Sequence, residues 1–131
     1  MSTILAIYDE TVSGDRTAAG SLDFLKERIT VRELIRERVY QEVREYNAKS
    51  QEYFRGLVRP TDAEQTLNGY KLRQHRRVDW EKQYALAITA FESNGFFILV
   101  DDRQVDSLDD EIELRLETSV SFVKLVPLVG G

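Results

Sequence analysis

Residues 119–126 read Ser-Val-Ser-Phe-Val-Lys-Leu-Val, and this segment is the most informative one for the architecture of the chain. Apolar side chains occupy both faces of the segment if it is extended, because successive side chains of a strand point to opposite sides. Near-continuous apolar strands are typical of the middle of a sheet, where both faces are covered. Proline lacks the amide that continues a strand ladder, so we expect a central strand that ends at Pro127.

The segment before this strand predicts a second strand and a short partner. Residues 96–100, Phe-Phe-Ile-Leu-Val, form an apolar run of strand length. The polar residues 101–104, Asp-Asp-Arg-Gln, predict a tight turn, after which Val105 begins a partner strand. Residues 107–110, Ser-Leu-Asp-Asp, predict a further turn.

The beginning of the chain predicts a hairpin. Residues 3–8, Thr-Ile-Leu-Ala-Ile-Tyr, have the composition of a strand. Residues 9–20 are rich in Thr, Ser, Gly and Asp and predict a loop. Residues 22–24 then alternate as Leu-Asp-Phe, which predicts a short second strand after a long connection.

The clearest helix starts at a capping box. Thr30 and Glu33 have the spacing at which a hydroxyl and a carboxylate each satisfy a free backbone amide. The following apolar residues recur at helical spacing, and we expect the helix to continue to Phe54 and end near Gly56. These residues are Val31, Leu34, Ile35, Val39, Val43 and Tyr46.

The middle of the chain is less regular. Residues 57–78 predict connecting structure, with a short helical turn at residues 60–64 that Thr61 would cap. A second helix is predicted over residues 79–93 by apolar side chains at three- and four-residue steps. The order of all these elements predicts an α+β fold, in which a small mixed sheet packs on one long helix.

Composition excludes several classes of function. The 131 residues carry a net charge of −5, which argues against a globally basic nucleic-acid binder. The sequence has no cysteine and a single histidine, His75, so disulfides, thiolate zinc sites and a cysteine nucleophile are excluded. We expect no metal, no cofactor, no membrane segment and no signal peptide, and therefore a cytoplasmic protein.

The Gly130-Gly131 pair is the most informative chemical feature. Glycines make the thinnest possible chain, which is suited to entering a narrow channel of a partner enzyme and presenting a carboxylate to ATP. The Gly131 carboxylate would then become an acyl-adenylate, with all catalytic groups on the partner. Leu128 and Val129, after Pro127, would supply hydrophobic docking. The chain is therefore expected to be a substrate and not an enzyme.

Residues 96–131 resemble the C-terminal half of ubiquitin-like β-grasp proteins. In that family a strand, a turn and a second strand precede a polar-leucine-aspartate turn, a central strand and a Gly-Gly tail. The corresponding positions here are residues 97–100, 101–102, Val105, 107–110, 120–126 and the final glycine pair. Residues 3–43 fit the hairpin and helix of the family. The resemblance implies a single ubiquitin-like β-grasp domain over residues 1–131, with a flexible tail at residues 127–131.

The tail is most similar to the sulfur-carrier branch of that superfamily. The molybdopterin-synthase small subunit and the thiamine-pathway carrier tend to end in Pro-Pro-Val-x-Gly-Gly. Pro127 and the glycine pair match this pattern, whereas Leu128 replaces the second proline. The tail is less similar to that of ubiquitin, which carries two arginines that are missing here.

An additional segment, about residues 47–95, is found in neither branch and is expected to be a helical insertion. In this respect the chain resembles specialised bacterial ubiquitin-like modifiers that have their own activating and conjugating enzymes. That resemblance implies adenylation of Gly131, conjugation to target proteins and contacts between the insertion and the dedicated enzymes.

Two other functions remain open. A sulfur carrier for cofactor biosynthesis would convert Gly131 to a thiocarboxylate, and an interaction domain would have an inert tail. Residues 69–78 carry several cations, which fit a solvated surface, a docking segment for a partner or, least well, a nucleic-acid contact. The acidic residues 101–113 fit a solvated turn or a surface that steers a basic activating enzyme.

Overall fold

The computed structural model describes residues 2–49, 52–72 and 77–125. The chain divides into two compact units. Unit 1 combines Met1–Leu34 with the segment that begins at Phe91, and unit 2 is Ile35–Ala90. Unit 2 therefore includes residues 47–90 of the segment that we expected to be an insertion.

The described residues form nine strands and two α-helices. In chain order the elements are β1 (Thr3–Thr11), β2 (Arg16–Phe24), β3 (Arg28–Thr30), α1 (Val31–Lys49), β4 (Ala63–Thr66), β5 (Gly69–Leu72), α2 (Trp80–Glu92), β6 (Phe96–Val100), β7 (Arg103–Val105), β8 (Glu111–Glu113) and β9 (Ser119–Lys124). The predicted α+β class, with a mixed sheet, is confirmed.

The main sheet belongs to unit 1 and has the strand order β2-β1-β9-β6-β7. Strand β9 runs parallel to β1 and antiparallel to β6, so the last described strand lies in the middle of the sheet. This central position confirms the prediction from its apolar composition. The sheet is mixed because β1 and β9 are the one parallel pair among its strands.

One face of this sheet forms the core of unit 1. Ile7 of β1 lies opposite Val120 of β9, and Phe122 lies opposite Ile98 of β6. All four side chains are at most 3% exposed. Phe96 extends the same face, with its ring centroid 6.2 Å from that of Phe122. The alternation of these residues along three neighbouring strands places them on a common surface.

Strand β2 corrects the prediction of a loop over residues 9–20. Residues 9–11 continue β1, and residues 16–20 belong to β2, which pairs along nearly its whole length with β1. The sequence indicated only residues 22–24 of this strand, because β2 lies at the sheet edge, where residues 16–21 are all exposed. An exposed strand has no alternation of apolar and polar residues to reveal it.

The predicted start of α1 at Thr30 is confirmed, but only the hydroxyl half of the predicted capping box forms. The Glu33 amide donates to the Thr30 hydroxyl at 3.1 Å, and the Glu33 carboxylate accepts from Lys26 Nζ at 3.2 Å. The amides of Val31 and Arg32 donate to the carbonyls of Asp110 and Leu108, at 3.0 and 2.9 Å. The predicted turn at residues 107–110 therefore satisfies the free amides of the first helical turn.

Strands β3 and β8 pair as a short antiparallel ribbon beside this helix start. The sequence did not indicate β8, because three residues are too few to show a period. The tight turn after β6 is confirmed at Asp101 and Asp102, whose φ angles of 49° and 68° are the left-handed values of a hairpin turn. Its predicted extent is wrong, because Arg103 and Gln104 already belong to β7, which ends at Val105 instead of beginning there.

Unit 2 contains the rest of α1, most of α2 and the β4–β5 hairpin. Among the described residues α1 ends at Lys49, before the predicted end near Gly56. The helical turn predicted at residues 60–64 is wrong, because residues 63–66 form β4. Asp62 has a φ of 61°, which a right-handed helix does not allow.

Polar side chains tie the loops of unit 2 to its helices. The buried Arg38 donates from Nε to Glu42 Oε1 at 2.6 Å, and Glu42 Oε2 accepts from the Leu57 amide at 3.1 Å. Asn47 of α1 exchanges two hydrogen bonds of 2.9 Å with the backbone of Val78. These bonds replace the backbone pairing that an irregular segment lacks.

Within residues 2–49, 52–72 and 77–125, neither helix combines the length and apolar character needed to span a bilayer.

Candidate functional site

The predicted site residues lie outside the described part of the chain. These residues are Pro127, Leu128, Val129, Gly130 and Gly131. His75 also lies outside it. The structure describes the approach to the site, which is strand β9 and the residue after it, Leu125, which is 43% exposed.

Strand β9 ends beside the turn that joins β1 to β2. Val123 and Lys124 of β9 lie opposite Glu10 and Thr11, the last residues of β1. Lys124 Nζ lies 3.5 Å from Asp9 Oδ2 at the same end of the sheet. Because β1 and β9 are parallel, the chain leaves the sheet where the β1–β2 turn begins.

The face of the sheet away from the core carries an apolar patch. Phe97 lies opposite Val123, and Leu99 lies opposite Ser121, which in turn lies opposite Tyr8. The side chains of Tyr8, Phe97, Leu99 and Val123 are half-buried and alternate with the core residues. We call these four residues the outer patch. It covers three adjacent strands and includes the penultimate residue of β9.

The β1–β2 turn adds an exposed apolar residue at this end of the sheet. Val12 is 67% exposed. Its backbone is fixed because the Gly14 amide donates to the Thr11 carbonyl at 3.0 Å and the Thr11 amide donates to the Asp15 carbonyl at 2.9 Å. Gly14 has a φ of 96°, a left-handed value that glycine adopts without strain.

Arg16 holds the ring of Tyr8 from the edge strand. Its guanidinium carbon lies 3.8 Å from the ring centroid, within the range of a cation–π contact. Arg16 Nη2 donates to the Ser119 hydroxyl at 2.8 Å, and its Nε lies 3.7 Å from Glu10 Oε1. Arg16 therefore links β2 to β9 across β1 and limits the motion of Tyr8.

The expectation that the central strand is covered on both faces is confirmed for the middle of β9, where Ser121 on the outer face is 5% exposed, whereas Val123 is only half-buried. Phe97 and Leu99 alternate in sequence with Phe96, Ile98 and Val100, so two of the five apolar residues of β6 face away from the core. The sequence feature that could have indicated the outer patch is the continuous apolar run of β6. A run of this kind indicates either a doubly buried strand or a strand with one apolar face left for a partner, and only the coordinates distinguish them.

Over the described ranges, no three acidic or histidine side chains form a group that would hold a metal ion. The features at this end of the main sheet are an apolar surface, a fixed turn and a strand that leads away from both.

The chain matches no protein-family model, no curated protein and no solved structure.

Proposed function

We propose that this chain is a ubiquitin-like protein modifier with a β-grasp fold. A partner activating enzyme adenylates its Gly131 carboxylate, and a conjugating enzyme transfers it to target proteins. The observation that carries the proposal is the exit of the central strand β9 beside the outer patch, five residues (125–129) before Gly130.

The topology supports the β-grasp part of the proposal. A hairpin, β1 and β2, is followed by a helix, and the final strand returns between β1 and β6, parallel to β1. A parallel return from β1 to a neighbouring strand needs a long connection, which here contains both helices. This is the element order that the resemblance of residues 96–131 and 3–43 implies.

The outer patch supports the docking part of the proposal. An activating enzyme must hold the folded domain while the tail enters its catalytic channel. The seven residues 125–131 reach at most about 25 Å when fully extended. The surface bound by the enzyme must therefore lie near the end of β9, and Phe97, Val123 and Val12 are the apolar side chains in that position.

The chemistry requires only the carboxylate from this chain. A Gly131 carboxylate oxygen attacks the α-phosphorus of ATP, and pyrophosphate leaves. A thiolate of the enzyme then attacks the acyl-adenylate carbonyl, and AMP leaves with the bonding pair of electrons. An amine of the target finally displaces the thiolate and loses a proton, which gives an amide. The glycine pair suits this sequence because no side chain blocks the carbonyl.

The experiment that tests the proposal uses the full chain with an amino-terminal tag, produced in its own host. A denaturing gel probed for the tag is expected to show a series of adducts above the free chain. Deletion of Gly131 removes these adducts. A gel with the free chain alone, under conditions in which the host's enzymes are expressed, contradicts the proposal.

The similarity of Pro127 and the glycine pair to sulfur-carrier tails favours a second candidate function, that of a sulfur carrier. The same sample distinguishes a sulfur carrier from a protein modifier. A sulfur carrier would give no adduct series. Its intact mass would instead rise by the difference between one sulfur and one oxygen atom, and this change would also require Gly131.

A further inference from the structure

A cavity of about 260 Å³ lies in unit 2 beside the start of α2. Pro60 and Val78, both buried, form apolar parts of its wall. Lys82, Gln83 and Leu86 line it from α2. Lys82 and Gln83 lie four and three residues before Leu86, so all three share one face of the helix. The cavity therefore has an apolar wall and a helix face with two polar side chains.

The wall of this cavity is held in place by side chains. Asn47 exchanges two hydrogen bonds of 2.9 Å with the backbone of Val78. Asp79 Oδ1 accepts from the amides of Glu81 and Lys82, at 3.0 and 3.4 Å, and so caps α2. A wall fixed in this way loses little conformational entropy when a ligand binds.

Gln83 supplies a hydrogen-bond acceptor to the cavity. The residue is only 2% exposed, and its Nε2 donates to the Val58 carbonyl at 2.6 Å, which fixes the orientation of the side-chain amide. Within residues 2–49, 52–72 and 77–125, no group donates to Gln83 Oε1, and this oxygen is not sealed from solvent. Because Gln83 lines the cavity and its Nε2 is engaged, Oε1 faces the cavity. Acceptors on buried side chains are nearly always satisfied, so Oε1 is expected to receive a donor there.

Two carboxylates and one ammonium group surround this acceptor. Asp62, Asp79 and Lys82 line the cavity and are exposed, and two acids with one cation give a net charge of −1. Asp79 uses Oδ1 to cap α2, and Asp62 has no ion pair within the described part of the chain. The lining therefore offers more acceptors than donors, which suits a cationic donor.

We propose that this cavity binds the cationic side chain of a lysine or an arginine from a partner protein. The ammonium or guanidinium group donates to Gln83 Oε1 and to the carboxylates of Asp62 and Asp79, while its aliphatic stem packs on Val78 and Leu86. A volume of about 260 Å³ is below the roughly 300–1,000 Å³ of small-molecule sites, which favours a single side chain as the occupant. The site does not depend on the proposed activation of Gly131.

Nuclear magnetic resonance of the ¹⁵N-labelled full chain tests the site with N-acetyl-arginine amide and N-acetyl-lysine amide. Each probe is expected to shift the backbone amides of residues 78–86 and the side-chain amide of Gln83. The dissociation constant is expected to be on the order of 1 mM, the affinity of an efficient ligand of this size. N-acetyl-norleucine amide has a similar stem without the charge and is expected to give no saturable shift.

Charge variants test the sign of the ligand. Asp62→Asn is expected to weaken binding by about two- to fivefold, and Lys82→Gln is expected to strengthen it by a similar factor, because a partly exposed charge pair contributes this much. Glu64→Gln is the matched control. Glu64 is an exposed acid two residues from Asp62 and is not part of the lining, so its loss is expected to leave the affinity unchanged.

Gln83→Met tests the buried acceptor, because it keeps the volume of the side chain and removes Oε1. It is expected to weaken binding of both cationic probes. Circular dichroism and urea unfolding show whether this variant keeps its fold. The shift of the Gln83 side-chain amide in the wild-type chain reports on the same contact without a substitution.

Three results overturn the proposal. These are the lack of any shift with both cationic probes, equal binding of N-acetyl-norleucine amide, and charge variants whose effects are opposite in sign to those expected. The variant that lacks Gly131 is expected to bind the cationic probes as the full chain does while it forms no adducts. This variant separates failure of the cavity site from failure of the proposed function.

Discussion

Phe97 of β6 and Val123 of β9 lie directly opposite each other, and both point away from the core of unit 1. Both residues belong to the outer patch, and Val123 also lies on the strand that precedes Gly130 and Gly131 in the sequence. A partner that binds this pair is positioned within reach of the tail.

Phe97→Ala is expected to lower the rate of enzyme-dependent adduct formation by about 30-fold or more. Truncation of a central aromatic residue in an interface costs about 2 kcal/mol or more, which corresponds to this factor. The measurement is the initial rate of adduct formation on a denaturing gel, at a chain concentration below saturation.

Ile4→Ala is the matched control for this variant. Ile4 is an apolar residue on the same face of the sheet, 67% exposed, but at the opposite end of β1 from the β1–β2 turn. It is expected to retain the wild-type rate. Equal rates for both variants would contradict a docking role of the outer patch.

Glu42→Ala is expected to destabilise unit 2 by about 1.5–3 kcal/mol, because it removes the carboxylate that accepts a charged hydrogen bond from Arg38, which is only 2% exposed. It also removes the acceptor of the Leu57 amide. The measurement is the urea midpoint and slope. Glu42→Gln keeps an acceptor for the Leu57 amide and should therefore lose less stability than Glu42→Ala.

Glu45→Ala provides the control on the same helix, since Glu45 is exposed. Its effect should stay within about 0.5 kcal/mol, as is usual for surface substitutions. A loss for Glu42→Ala as small as that for Glu45→Ala would show that the Arg38–Glu42 pair does not hold the loop.

Gly56→Ala is expected to destabilise the chain by about 1–3 kcal/mol, the usual effect of overpacking. A Cβ at this position would overlap the ring of Phe54 and lie 3.1 Å from Glu42 Oε2. A double-mutant cycle with Phe54→Leu measures the coupling. Gly56→Ala should lower the free energy of unfolding less in the Phe54→Leu background than in the wild type. An equal loss in both backgrounds would show that the Phe54 ring does not exclude a side chain at position 56.

The sequence was sufficient to predict those elements whose side chains are buried with a regular period. The central position of β9, the start of α1 at Thr30 and the turn at Asp101 and Asp102 all follow from apolar patterning or local backbone chemistry. Most of β2 and all of β4 were missed for the opposite reason, since few of their side chains are buried.

The site could be predicted only in part. The glycine pair is visible as sequence, but the outer patch is not. Phe97 and Leu99 look like core residues until the strand pairing shows which face they occupy. The hydrophobic effect is not directional, so an apolar residue alone does not reveal whether its own chain or a partner covers it.

The most direct test of the central claim is mass spectrometry of trypsin-digested adducts purified from the host. Trypsin cleaves after Lys124, the last basic residue of the chain, and so leaves residues 125–131 on any target to which Gly131 is joined. Target peptides are expected to carry this seven-residue branch on a lysine side chain, and none is expected from a chain that lacks Gly131. Recovery of residues 125–131 only as a free peptide or as a thiocarboxylate, with no branched peptide, would contradict it.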